Sequence, residues 1–132
     1  MKKISGKNTK PELIVRKFLF SKGFRFRKNV ISLPGTPDIV LPKYKSVIFV
    51  NGCFWHGHEG CKRSHLPSSR VEFWKTKIES NISRDNKNLN DLKNMRWNPI
   101  IIWQCEMSSA IKRECRLNKL INELNRMIDC SH

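Results

Sequence analysis

Apolar residues change their spacing several times along this chain, and the changes divide it into elements. Thr9-Lys10-Pro11-Glu12 has the Ser/Thr-x-x-Glu spacing of a capping box with proline in the first turn, and Ile14, Val15, Phe18 and Leu19 follow at helical intervals. This first helix is expected to end at Gly23. From Phe24 to Val50 the pattern turns to short β-type runs broken by Pro and Gly, among them Asp38-Ile39-Val40-Leu41 and Ser46-Val47-Ile48-Phe49-Val50, with Pro42 to Lys45 as the turn. Residues 51–69 gather Gly, His and Cys without either period and read as a loop. Ser69-Arg70-Val71-Glu72 repeats the capping-box spacing and opens a long helix whose inward stripe runs Trp74, Ile78, Ile82, Asp85, Leu89 and Leu92. Ile100 to Trp103 reads as a buried strand, and Leu117, Leu120, Ile121, Leu124 and Ile128 mark a terminal helix. The order predicts a mixed sheet covered by helices, of the α/β or α+β class.

Charge and cysteine usage narrow the function. Lys and Arg number 26 against 11 Asp and Glu, a formal net charge of +15 that attracts polyanions, so nucleic acid is the first partner to expect. A solubilising or ribosome-associated surface would share this composition, which leaves the decision to the motifs. No apolar run approaches the roughly 20 residues that span a bilayer, and the opening MKKISGKNTKPE does not lead into a secretory apolar core. The five cysteines, at 53, 61, 105, 115 and 130, are an odd set grouped near histidines rather than a disulfide framework, which points to a reducing cytoplasm.

If four residues turn the hairpin, Leu41 faces Ser46, Val40 faces Val47, and Asp38 falls opposite Phe49 beside Val50. One carboxylate, the Val50 carbonyl and several waters would suit a hard cation such as Mg²⁺, although Pro37-Asp38 also reads as turn punctuation. In the stretch Cys53-Phe54-Trp55-His56-Gly57-His58-Glu59-Gly60-Cys61, the residues Cys53, His58 and Cys61 offer the thiolate and imidazole donors of a tetrahedral Zn²⁺ site. Cys105 is the candidate fourth donor, in competition with His65, Cys115 and Cys130; the alternative is cysteine as a small buried hydrophobe. His56 would then be free to act as general base for phosphodiester hydrolysis, against the alternative of a structural histidine. Asp85 interrupts an apolar stripe, where an unpaired carboxylate is costly, so it should orient an imidazole or a metal-bound water, or else form an internal salt bridge. Phe54, Trp55 and Trp74 crowd a polar segment and suit a wedge between base steps as well as ordinary packing.

Read together, Asn8-Thr9-Lys10-Pro11-Glu12, Leu33-Pro34-Gly35-Thr36-Pro37-Asp38, the run VIFVNGCFWH from Val47 to His56, Glu72-Phe73-Trp74, Arg84-Asp85 and Ile102-Trp103-Gln104-Cys105 resemble the very-short-patch repair (Vsr) endonucleases. The resemblance runs from about Thr9 to Cys105. It implies an α/β, restriction-endonuclease-like mixed sheet flanked by helices, with a structural zinc site, in one domain over residues 1–132 whose residues 1–8 form a short arm. It further implies strand-specific nicking 5′ to the thymine of a T·G mismatch in double-stranded DNA, by a cytoplasmic, nucleoid-associated monomer with mismatch-repair proteins as candidate partners. Under it, Asp38 and Val50 hold Mg²⁺, His56 is the catalytic base, Glu12 and Asp85 support the centre, and Cys53, His58, Cys61 and Cys105 hold Zn²⁺. Phe54, Trp55 and Trp74 form the wedge, and Asn51 lies among the DNA contacts. Relatives can carry Thr-His where this chain has Val50-Asn51, and the spacing from His58 to Cys61 is one residue longer than in some of them. A sequence-specific restriction-type nuclease and a zinc-stabilised DNA-binding module without catalysis are the competing expectations.

Overall fold

A computed structural model describes residues 10–28, 30–58, 61 and 66–130. Thr9, and with it the first capping box, lies outside the described residues, as do His65 and the side chains of Ile128 and Cys130. Four strands form one mixed sheet in the order β1 (Arg27–Lys28), β2 (Ile39–Leu41), β3 (Ser46–Asn51) and β4 (Asn98–Trp103). The first two pairings are antiparallel, while β3 and β4 run parallel from Ser46 opposite Asn98 to Asn51 opposite Trp103. Parallel neighbours need a crossover, and α2 (Val71–Asn94) provides it.

Strand alternation sorts the side chains onto two faces. Ile39, Leu41, Ile48, Ile100 and Ile102 pack with Val15 and Leu19 of α1 (Lys10–Ser21) and with Leu117, Leu120 and Leu124 of α3 (Ala110–Cys130). Val40 and Val47 turn the other way and meet Leu92 of α2, with Phe49 and Trp97 against them. The sheet is thus the middle of three layers, and both of its faces are covered, as parallel pairing favours.

Helix ends decide where the strands begin. α1 stops in a Schellman turn: Gly23 has φ 84°, its N–H donates to Phe20 O, and Phe24 N–H donates to Leu19 O at 3.0 Å. α2 ends the same way with Arg96 in the left-handed position, and Trp97 N–H donates to Leu92 O at 2.9 Å. This turn aims the chain straight into β4. At the start of α2 the expected capping box is absent. Arg70, at φ 55°, is the N-cap, and no side chain caps the helix, so Ser69 and Glu72 do not play the parts their spacing suggested. The left-handed bend at Arg70 turns the entry away from the extended backbone that a Ser cap requires.

The inward face of α2 follows the expected stripe, with Ile78 and Leu92 buried and Trp74, Ile82, Asp85 and Leu89 partly so. Asn51 belongs to β3 rather than to the following loop. No described helix is long and apolar enough to cross a membrane.

Candidate active site and metal group

The hairpin register places Leu41 opposite Ser46, Val40 opposite Val47 and Ile39 opposite Ile48, so the next residues out are Asp38 and Phe49. Asp38 N–H donates to Ile48 O at 3.0 Å, and the Val50 N–H donates to Asp38 Oδ2 at 2.7 Å. The carboxylate is therefore fixed across the C-terminal end of β3. Burial raises its pKa above the ordinary carboxylate value, opposed by the Val50 hydrogen bond and then by the charges of Arg16 and His56. Burial is the largest of these effects, and a carboxylate that has lost much of its water gains from a cation beside it. Asp38 with the neighbouring main-chain oxygen of Val50 is an oxygen donor set of the kind a hard divalent ion takes.

The chain leaves β3 into a tight loop in which His56 N–H donates to Gly52 O and His58 N–H to Cys53 O. Gly57, at φ 58°, lets this loop lie against α2, where a Cβ would come within 2.6 Å of Ile82 Cδ1. His56 thereby reaches Asp85, whose Oδ2 lies 2.6 Å from His56 Nδ1. This pairing answers the polar residue on the apolar stripe, since Asp85 faces inward to meet an imidazole and not an arginine. Asn51, only 7% exposed, lines a cleft of about 390 Å³ together with His56, Asp85, Leu89 and Trp103.

Glu12 is buried on α1 and ion-paired with Arg16 one turn later. Sequence reading missed Arg16, although its place four residues after a glutamate was a visible signal. Its charge is also felt at Asp38, so Glu12, Arg16 and Asp38 form a connected set beneath the site.

Cys53, His58, Cys61 and Cys105 bring their donor atoms within 4.8 Å of one another. Such a group could hold a metal ion, and this mutual closeness of all four donors fits tetrahedral geometry. Cys115, one of the competing donors, is instead exposed on α3 and outside the group. Burial first, and then the adjacent Cys53 and Cys61, push the Cys105 thiol up to about 12, a penalty on the thiolate that a bound cation would offset. Cys105 sits on a 3₁₀ turn, Gln104–Met107, that Arg116 of α3 ties down by an ion pair to Glu106 and a hydrogen bond to Ile101 O of β4, while Glu123 on the same helix pairs with Arg116. His58 lies flat on Trp103, ring centroids 4.0 Å apart, a stacking role that the sequence motif did not disclose.

Phe54, Trp55 and Trp74 meet pairwise edge to face at 5.2 to 5.7 Å, and Asn81 donates to Trp55 O at 2.8 Å. Trp55 is 48% exposed and Phe73, against Trp74, 46%. Large rings left this open beside a polar site form an exposed aromatic cluster rather than core.

Comparison with known proteins places the chain in a family. The family described as DNA mismatch endonuclease Vsr matches residues 1–63. The "Type II nicking enzyme V.NmeAIP" of Neisseria meningitidis serogroup A is 51% identical over 125 residues, covering 94% of this chain and 88% of its own length. The "Type II nicking enzyme V.XorIIP" of Xanthomonas oryzae pv. oryzae is 46% identical over 122 residues, or 92% and 89% of the two chains. The "DNA mismatch endonuclease Vsr" of Escherichia coli K12 is 38% identical over 112 residues, or 85% and 71%. Identity at this level, sustained over most of the chain, makes the protein an endonuclease and a member of the Vsr family of DNA mismatch endonucleases.

Proposed function

We propose that the protein nicks one strand of duplex DNA 5′ to the thymine of a T·G mismatch, with Mg²⁺ at the cut and Zn²⁺ in the Cys/His group. The observation that carries this reading is the meeting, past the end of β3, of the Asp38 carboxylate held by Val50 N–H at 2.7 Å and the His56–Asp85 pair at 2.6 Å. Mismatch and nicking activities in the names of the relatives support it, and the net charge of +15 suits a DNA substrate. The three layers around a mixed sheet also suit the restriction-endonuclease-like class.

In this reading Asp38 and the Val50 carbonyl hold Mg²⁺, which when bound supplies charge neutralisation at the scissile phosphate. His56 takes a proton from the attacking water. Asp85, hydrogen-bonded to Nδ1, holds the ring so that Nε2 is the basic atom and stabilises the imidazolium that results. Glu12, through Arg16, keeps a fixed positive charge beneath Asp38. Phe54, Trp55 and Trp74 insert beside the mismatch, where unstacking is least costly, and Asn51 contacts the DNA from the cleft next to His56. Cys53, His58, Cys61 and Cys105 would hold Zn²⁺, which would brace the loop carrying His56.

The test is to incubate the protein and Mg²⁺ with duplexes that differ only in T·G or T·A at one position, and to resolve each strand on a denaturing gel. Cutting confined to the T-bearing strand of the mismatch is the expected result. Equal cutting of both duplexes would replace it with restriction-type specificity, and binding without product would leave a DNA-binding module.

A further inference from the structure

A second charged surface lies away from His56 and Asp85. At the far end of β2 from Asp38, a cleft of about 500 Å³ is lined by Phe24, Arg25, Phe26, Arg27, Lys43 and Tyr44. Its aromatic lining is packed: the Phe24 and Tyr44 rings lie 5.1 Å apart, and Lys43 Nζ lies 5.9 Å from the Tyr44 ring. Among the described residues no carboxylate lines it. Nor, among them, does an acidic group pair with Arg25, Arg27, Lys28 or Lys43, whereas Arg16, Lys87 and Arg116 all have such partners. Unpaired cations gathered in a concavity repel one another at a cost, which a polyanion would offset.

Register ties this surface to the cut. Arg27 stands opposite Val40 and Lys28 opposite Ile39, so β1 is an exposed, positively charged sheet edge leading from Asp38 toward the cleft. At ~3.4 Å per strand residue, Val40 is about 7 Å along the strand from Asp38, equal to roughly two base steps of duplex. Arg27, opposite Val40, already lines the cleft, and Lys43 lies three residues beyond Val40, so the cleft is within reach of the same duplex.

We propose that the β1 edge and this cleft form a track for the phosphate backbone of the duplex flanking the nick, on one side of it only, through Arg25, Arg27 and Lys43. This rests on the reading of the protein as a DNA-nicking enzyme. The track carries affinity and orientation and no sequence information, because cations on an open edge meet phosphates and not base edges.

The experiment measures binding of the full zinc-loaded chain to a matched, fluorescently labelled duplex over a range of salt. Replacing Arg25, Arg27 and Lys43 together by Ala should lower the slope of log K against log salt by about 0.9 for each phosphate no longer neutralised, up to ~2.7, and weaken binding at least about tenfold. Replacing Lys112, Lys119 and Arg126 on α3 removes the same charge from another surface and should leave most of that slope. Equal reductions in both variants, or none in the first, would overturn the track. Should the Ala variant unfold, the corresponding Gln variant carries the same comparison. An unaltered protein that nicks while the first variant keeps its full slope removes only the track; an unaltered protein that never nicks removes the enzyme reading itself.

Discussion

At Asp38, chemistry and stability pull in opposite directions. Its pKa is raised in the folded state, chiefly by burial, so folding favours the protonated form. Stability from this group is greatest at low pH and falls as pH rises from the unfolded value of 3.8 through the raised folded one; above that window the ionised carboxylate is a net cost. Asp38→Asn keeps an acceptor for the Val50 N–H and removes the charge. Nicking should drop more than about a hundredfold, while the thermal midpoint at pH 7 rises by on the order of 2 °C; a midpoint that falls would mean the carboxylate is not the strained group. Asp85→Asn tests the other half of the site. An amide can donate to Nδ1 and leave the imidazole in the wrong tautomer, so single-turnover nicking at saturating protein should fall about a hundredfold. Retention of half the rate would show that His56 works without its carboxylate.

Elements show what was readable in the sequence and what was not. The β2–β3 register followed from turn length and alternation alone, because a slip by one residue would turn every side chain to the wrong face. Asp85 announced itself by breaking an apolar stripe, and Cys53, His58 and Cys61 by their clustering, while Cys105 was one of several candidates for the fourth donor. The Ser69 capping box misled because the same four-residue spacing says nothing about backbone angles, and Arg70 adopts a left-handed one. β1 has only two residues, too few to carry a period, and its pairing is decided by its neighbour β2. The ring stack between Trp103 and His58 joins positions far apart in sequence, which no local pattern encodes. The loop that carries His56 depends on its approach to α2 at Gly57, where a methyl group would also come to 2.9 Å from Ile78 Cγ2. Gly57→Ala should cost about 1–3 kcal/mol in urea unfolding and depress nicking with it. A change below ~0.5 kcal/mol would show that the loop has slack there.

Across the whole molecule, one donor group joins parts far apart in sequence: the loop leaving β3 and the turn leaving β4. Because binding energy at such a group would also be folding energy, Cys105→Ser should lower metal content and the thermal midpoint together if the group holds the proposed zinc. An unchanged metal content would exclude Cys105 from the set. The two strands it links are parallel and adjacent, so a metal held there would work like a rivet at one end of a sheet whose two faces are held by ordinary packing. If the group holds such an ion, removing it with a chelator should loosen the protein from one side. Backbone amide hydrogens at Val50, Asn51 and Trp103 would exchange with deuterated solvent well before those at Val47 and Ile100, and the enzyme would lose its cutting edge while most of its interior stayed folded.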